Sequence, residues 1–252
     1  MSTLKIEHVG QRLGDTEILH DVNLEVRDGE ICCLLGPSGC GKTTLFNIIA
    51  GLSLPTEGSV FVAQKDVAGV TGQVAYMLQK DLLLKEKTIL DNVALPLMVR
   101  GVAKKQARKQ ALELFDRFGL AGTQDKWPHE LSGGMRQRAA LLRSYLFSQE
   151  FLLLDEPFSA LDAFTKSSMH EWFLEIATEL GTTALMVTHD VDEAIKLSDT
   201  VFVMAGSPQE GVATTIIGAH AIDVPKQRRS DFVLTPEFLD HKRAVLELLH
   251  KR

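Results

Sequence analysis

The stretch "EICCLLGPSGCGKTTLFNIIA", residues 30–50, constrains this chain more than any other. Ile31 to Leu35 is an unbroken apolar run, the pattern of a strand buried on both faces, which needs parallel neighbours and covering helices. It passes directly into Gly36-Pro37-Ser38-Gly39-Cys40-Gly41 and then Lys42-Thr43-Thr44, where helical spacing begins and runs to about Ala50. The glycines let successive backbone N–H groups turn inward, and the helix start adds the positive end of its dipole, so the loop is a nest for phosphate oxygens. The spacing Gly-x4-Gly-Lys-Thr adds an ammonium, Lys42, to reach β- and γ-phosphates, and a hydroxyl, Thr43, suited to Mg²⁺.

"FLLLDEP", residues 151–157, supplies a second half to such a site. Its apolar run predicts another buried strand ending at Asp155, a carboxylate placed to hold Mg²⁺. Glu156 follows directly, where a carboxylate can polarise water for in-line attack. Further strands are expected at 58–63, 182–189 and 200–206. Helices are expected at about 104–118 (Ala107, Ala111, Leu114, Phe115 and Phe118 on one stripe), at 133–148 after Ser132, and from about Asp162 to Leu180. Asp190 and Glu193 fit a capping box for a following short helix. Thr235 and Pro236 fit the cap and first position of a final helix packed through Leu239, Val245, Leu246 and Leu249. Residues 1–30 read as short strands with turns at Gly14-Asp15 and Asp28-Gly29. The predicted fold class is α/β: a phosphate-loop NTPase core with a mostly parallel sheet, an N-terminal antiparallel β layer and a helical lobe inserted at about 90–145. The expected organisation is one domain over 1–252, with a tail from about 206 that fits a dimer contact, a regulatory element or a packed extension.

Composition narrows the class. The chain has 252 residues and a formal net charge of −6, which disfavours a nucleic-acid partner. The clusters Lys104, Lys105, Arg108, Lys109 and Lys226, Arg228, Arg229 are expected to be solvated surface. Its three cysteines, Cys32, Cys33 and Cys40, suggest neither a disulfide framework nor a zinc site, which fits a reducing cytosol. The start "MSTLKIEHVG" lacks the apolar core of a secretory signal, and no apolar run approaches the ~20 residues of a membrane span.

With these motifs in order, the chain resembles the ATP-binding cassette (ABC) family over essentially residues 1–205. "LSGGMRQR", residues 131–138, resembles the family signature; "SALD", residues 159–162, its D-loop; Gln79 in "YMLQKDLLL" its Q-loop glutamine; and His189 in "VTHD" its switch histidine. The resemblance implies a head-to-tail dimer. Each ATP then lies between the loop Gly36–Thr44 of one copy and Ser132, Gly133 and Gly134 of the other. It implies Glu156 as general base, His189 on the γ-phosphate, Thr43, Asp155 and Gln79 at Mg²⁺, and Asp162 coupling the two sites. A Ser-Gly-Gly helix start agrees physically, since it offers unpaired N–H donors to an anion. The wider resemblance is to ATPase subunits of bacterial importers for nitrate, sulfonates, taurine and thiamine-related pyrimidines. It implies separate integral membrane permease subunits, a separate solute-binding protein, and a peripheral location on the cytoplasmic face of the inner membrane. An ABC ATPase acting on nucleic acid or ribosomes is the alternative; such proteins carry long coiled-coil insertions or paired cassettes, and this sequence has neither. A small-molecule kinase would not need the signature or His189.

Two stretches depart from the pattern. After Gln79 the importer branch commonly reads Leu-Leu-Pro-Trp, whereas this chain has Leu83-Leu84-Lys85-Glu86 in a segment expected to face the permease, which leaves the transported molecule unassigned. In "VGQRLGDTEIL" Leu13 stands where the family places an aromatic on adenine, with the Arg12 guanidinium as a substitute plane. A stacked base contributes ~1–3 kcal/mol. Leu13→Tyr is therefore expected to tighten ATP binding about tenfold in titration calorimetry; unchanged affinity would rule out a missing stack.

Overall fold

The apolar runs form the centre of a ten-stranded sheet ordered β5-β4-β1-β2-β10-β9-β3-β8-β7-β6. The computed structural model describes residues 2–229 and 231–250. The strands are β1 (Ser2–Leu13), β2 (Thr16–Arg27), β3 (Ile31–Leu35), β4 (Glu57–Val62), β5 (Lys65–Asp66), β6 (Ala75–Met77), β7 (Leu152–Asp155), β8 (Ala184–Val187), β9 (Thr200–Ser207) and β10 (Val212–Ala221). The helices are α1 (Lys42–Ile49), α2 (Ile89–Val93), α3 (Leu95–Val99), α4 (Lys104–Leu112), α5 (Gly133–Phe147), α6 (Ala163–Leu180), α7 (Val191–Leu197) and α8 (Pro236–His250).

From β9 to β6 every neighbouring pair is parallel, whereas β5, β4, β1 and β2 pair antiparallel. The expected parallel core and N-terminal antiparallel layer are therefore both present. The period-2 geometry of a strand splits each central run between two cores. Ile31, Cys33 and Leu35 of β3, Leu152 and Leu154 of β7, and Ala184 and Met186 of β8 face one core, with α5, α6 and the helices of 89–112. Cys32, Leu34, Leu153, Leu185 and Val187 face the other, against α1 (Leu45, Phe46, Ile48, Ile49) and the antiparallel layer. All three cysteines are buried free thiols, and burial pushes those of Cys32 and Cys33 above the ordinary range.

Several local expectations are corrected. Residues 2–27 form two 12-residue strands rather than short ones. α4 ends at Leu112, and the apolar residues Phe115 and Phe118 reach the core from successive turns. Thr235 does cap the last helix, accepting from Phe238 N at 3.2 Å, but Leu239 is exposed, and Phe238 and Val245 are the helix's buried contacts.

The basic cluster at 226–229 is only partly solvated surface: Arg228 is exposed as expected, but Lys226 is half-buried and Arg229 buried. Arg229 is 1% exposed and donates to Val224 O (2.8 Å), Ser198 O (2.9 Å) and Asp199 Oδ1 (3.0 Å). Lys226 pairs with the other Asp199 oxygen at 2.9 Å, and that oxygen also accepts from Ile31 N at the start of β3. The carboxylate thus ties the segment after β10 to the sheet. Removing Arg229 empties a buried site, strands the Val224 and Ser198 carbonyls and leaves Asp199 to Lys226 alone among its charged partners. Arg229→Ala is expected to lower unfolding free energy by about 3 kcal/mol in urea titration. Arg243→Ala, which removes the exposed pair with Asp240, should leave the midpoint in place.

Candidate functional site

Because β3, β8, β7 and β6 are adjacent and parallel, the residues leaving their carboxyl ends converge on one edge, where open α/β sheets bind ligands. Gly36 follows β3, Glu156 follows β7, His189 lies just past β8, and Gln79 just past β6. The register is tight: Leu34 and Asp155 both pair with Val187.

The loop Gly36–Gly41 turns from β3 into α1. Gly41 has φ 100°, a conformation that glycine adopts without strain, and its missing Cβ would stand 3.0 Å from Ile18 Cγ2 of β2. Lys42 folds back over the loop, donating to Gly36 O and Pro37 O at 2.8 Å each. Its ammonium therefore sits at the mouth of the nest. Ser38 and Thr43 are exposed and Thr44 half-buried, while Cys40 is buried under the loop.

Asp155 is half-buried at the end of β7. Burial, reinforced by the negative charge of Glu156, pushes its carboxyl above the ordinary range; the Tyr76 hydroxyl, donating to Oδ2 at 3.4 Å, and the charge of Lys42 oppose this. Glu156 takes a left-handed backbone turn (φ 45°) and its N–H donates to Val187 O at 2.9 Å. The turn swings its side chain across the strand ends. Gln79 Nε2 donates to one carboxylate oxygen at 3.0 Å, and His189 Nδ1 lies 3.3 Å from the other. Ser159 joins the group, donating to Glu156 O at 2.9 Å and lying 3.4 Å from Gln79 Nε2. Two residues singled out from the sequence, Gln79 and His189, thus meet on the carboxylate of a third, Glu156.

Ser132, Gly133 and Gly134 stand apart, at the start of α5. Ser132 is the N-cap, its hydroxyl accepting from Met135 N at 3.3 Å. The glycine pair has a reason within the chain as well. A Cβ on Gly133 would come 3.2 Å from Leu161 Cδ2, and one on Gly134 3.1 Å from Thr165 Cγ2, so α5 packs its small-residue end directly on the turn into α6. Asp162 caps α6, accepting from the Thr165 hydroxyl (2.6 Å), Thr165 N (3.1 Å) and Phe164 N (3.2 Å), and these bonds hold its carboxyl below the ordinary range.

Sequence reasoning missed two supporting groups. Arg143 of α5 donates to Asp81 O (2.6 Å) and Leu82 O (2.8 Å), while Arg136 reaches Asp81 Oδ2 (3.2 Å). The helix that starts with Ser132 therefore grips the loop after Gln79. Behind His189, Asp190 caps α7 as expected, but Glu193 completes no capping box. It is 3% exposed and binds His170 Nε2 (3.0 Å) and Lys166 Nζ (2.8 Å) of α6, with Lys166 also on Asp190 (2.8 Å). Burial raises the Glu193 carboxyl, but the bonds from His170, Lys166 and Thr188 outweigh it and hold it low. The i, i+4 spacing of Lys166 and His170 was the available signal.

Arg12 is tied into the first hairpin, donating to Asp15 O at 2.8 Å and lying 3.5 Å from Glu17, and Leu13 beside it is exposed.

The comparisons with known proteins agree with this geometry. The family model described as ABC transporter matches residues 19–159. A formylaminopyrimidine import ATP-binding protein of Halalkalibacterium halodurans is 45% identical over 194 residues, 77% of this chain and 76% of that protein. An aliphatic sulfonates import ATP-binding protein of Rhodococcus jostii is 43% identical over 218 residues, 86% of this chain and 84% of that protein. The dimeric post-hydrolysis structure of the ATP-binding cassette MJ0796 bound to ADP and Pi aligns with a TM-score of 0.71 at 27% identity, covering 88% of this chain and 99% of that one. Strand order, loop and matched sequence lead to one conclusion: the chain belongs to the ABC transporter family of ATP-binding cassettes.

Proposed function

We propose that this cassette hydrolyses ATP as a head-to-tail dimer to power import of a small polar solute through separate membrane permease subunits. The observation that carries the catalytic part is the Glu156 carboxylate held between Gln79 Nε2 and His189 Nδ1 at the strand ends, beside the loop Gly36–Thr44. The importing role is supported by the printed roles of the relatives, which include import of formylaminopyrimidine and of aliphatic sulfonates. A solute of the nitrate, sulfonate, taurine or thiamine-related pyrimidine type fits, delivered by a separate solute-binding protein. No helix among the described residues is long and apolar enough to cross a membrane. The proposed place is peripheral, on the cytoplasmic face of the inner membrane.

In this scheme the backbone N–H groups of Gly36–Thr44 and the start of α1 hold the phosphates, and Lys42 leaves its carbonyl partners to neutralise the β- and γ-phosphate oxygens. The Thr43 hydroxyl and the Asp155 carboxylate are hard oxygen donors on neighbouring elements, a set that would suit Mg²⁺. With its amide nitrogen on Glu156, Gln79 would have its amide oxygen left to offer the same ion. Mg²⁺ bound there supplies charge neutralisation of the phosphates. Glu156 accepts the proton of the attacking water as its oxygen bonds to the γ-phosphorus and the bond to the ADP oxygen breaks. His189 contacts the γ-phosphate and orients Glu156. Ser132, Gly133 and Gly134 complete the partner copy's site, and Asp162 couples the two.

Two variants test the scheme. Glu156→Gln keeps the side-chain shape and removes the base, so hydrolysis should fall at least a hundredfold while ATP binding persists; wild-type turnover would remove Glu156 from the role. Ser132→Arg should leave ATP binding to the isolated chain intact and abolish ATP-driven dimerisation in sedimentation velocity. A normal ATP-dependent dimer would contradict the shared site.

A further inference from the structure

A cleft of about 830 Å³ opens beside the phosphate loop, between Gly36–Gly39, His189 and the β9–β10 hairpin. Its apolar walls are Met204, Pro208, Val212, Ile217 and Leu249. Val212 is 56% exposed at its edge. Elsewhere on the chain, Phe164 in the first turn of α6 is 91% exposed, more than any other large apolar side chain among the described residues. Nothing in the helix requires an aromatic there, since Asp162 caps it through the backbone N–H of Phe164 and through Thr165. Leaving such a ring in water forgoes the transfer free energy that burial would supply.

We propose that in the dimer Phe164 of one copy enters this cleft of the other. The inference rests on the head-to-tail arrangement proposed above. Gly133 and Gly134 pack on Leu161 and Thr165, and Phe164 lies between those two residues in the chain with its ring in solvent, so it stands close to the end of α5 that Ser132 caps. A dimer that brings that surface against the partner's loop Gly36–Thr44 brings Phe164 beside whatever adjoins that loop. The cleft adjoins it directly, sharing Gly36–Gly39 as one wall. It is thus continuous with the nucleotide interface, has apolar walls to match a phenyl ring, and is incomplete without the second copy. Because His189 also lines it, the partner's ring packs next to the histidine that touches Glu156. Each copy would sense closure through a hydrophobic contact as well as through the phosphate.

The test uses full-length chain carrying Glu156→Gln, so that ATP is bound without turnover. Phe164→Cys and Ser207→Cys are introduced singly and together, the native thiols being buried. The mixture is treated with a short bis-maleimide, and dimer is followed separately by sedimentation. An ATP-dependent covalent dimer from the double variant, absent from either single variant, is expected. Phe164→Ser, at a position too exposed to disturb folding, should weaken ATP-driven dimerisation roughly tenfold with ATP binding unchanged. A dimer in sedimentation without cross-linking of the pair, or with equal cross-linking of Phe164→Cys alone, overturns the placement of Phe164 and leaves the shared site standing. Absence of any ATP-dependent dimer overturns both.

Discussion

Everything at the candidate site depends on one constraint, the parallel pairing of four strands that are buried on both faces. A strand covered on both sides must be apolar along its covered length; β3 and β8 are so throughout, and β7 is so up to the half-buried Asp155 that ends it. The polar groups that such a sheet can carry are pushed to its ends. Parallel pairing then sends all the carboxyl ends to the same edge, so Gln79, Glu156 and His189 meet although more than a hundred residues separate Gln79 from His189. An antiparallel centre would have split them between two edges. The outer β layer has no such restriction: its strands alternate buried and exposed positions, as in β2, and it contributes Ile18 against Gly41 rather than chemistry.

The second organising contact is the close approach of α5 to the turn into α6. Glycines at 133 and 134 allow it, and the same helix that they open reaches back through Arg136 and Arg143 to hold Asp81 and Leu82. On the far side, α6 is fastened to α7 through Lys166, His170, Asp190 and Glu193. A chain of direct contacts therefore runs from the loop after Gln79, through the signature end of α5 and the cap at Asp162, to the residue following His189. Its members are ion pairs and packed side chains between rigid elements, which is the physical form that coupling between sites requires. The cluster on Glu193 resists separation, because moving Lys166 or His170 away would leave the buried Glu193 carboxylate short of a partner.

What was legible in the sequence was whatever is encoded locally. Unbroken apolar runs marked β3, β7 and β8; Ser132, Asp162, Asp190 and Thr235 marked helix starts because a cap is a property of a few consecutive residues. What was not legible depends on partners distant in sequence. β6 is three residues long and is a strand only because it pairs with β7. Glu193 has the spacing of a capping box, but the pull of Lys166 and His170 from another helix turns it inward. Arg229 sits in a basic run that reads as surface until Asp199 and two carbonyls are brought to it. Leu239 looked like part of an apolar stripe, yet the stripe of α8 is set by how it meets β9 and β10, and Phe238 takes the buried position.

The segment beyond residue 205 bears on the same edge of the sheet. β10 pairs with β9 and touches β2 at Thr214 and Leu19, so it bridges the parallel core and the antiparallel layer. Met204 O, in β9 of the hairpin, is the atom a Cβ on Gly36 would meet at 2.9 Å, which makes the hairpin a direct wall of the loop Gly36–Gly41. α8 covers β9 and β10, and a hydrogen bond of 2.8 Å between His220 and His241 fixes it there, with Phe232 packed on His241. A bond between two imidazoles needs one to donate and the other to accept, so it holds only while at least one is neutral. Burial and the neighbouring His241 both lower the affinity of His220 for a proton, which favours the bonded form at neutral pH. The C-terminal elements thus buttress the loop from behind, and the position of Gly36 depends on packing set more than two hundred residues later in the chain.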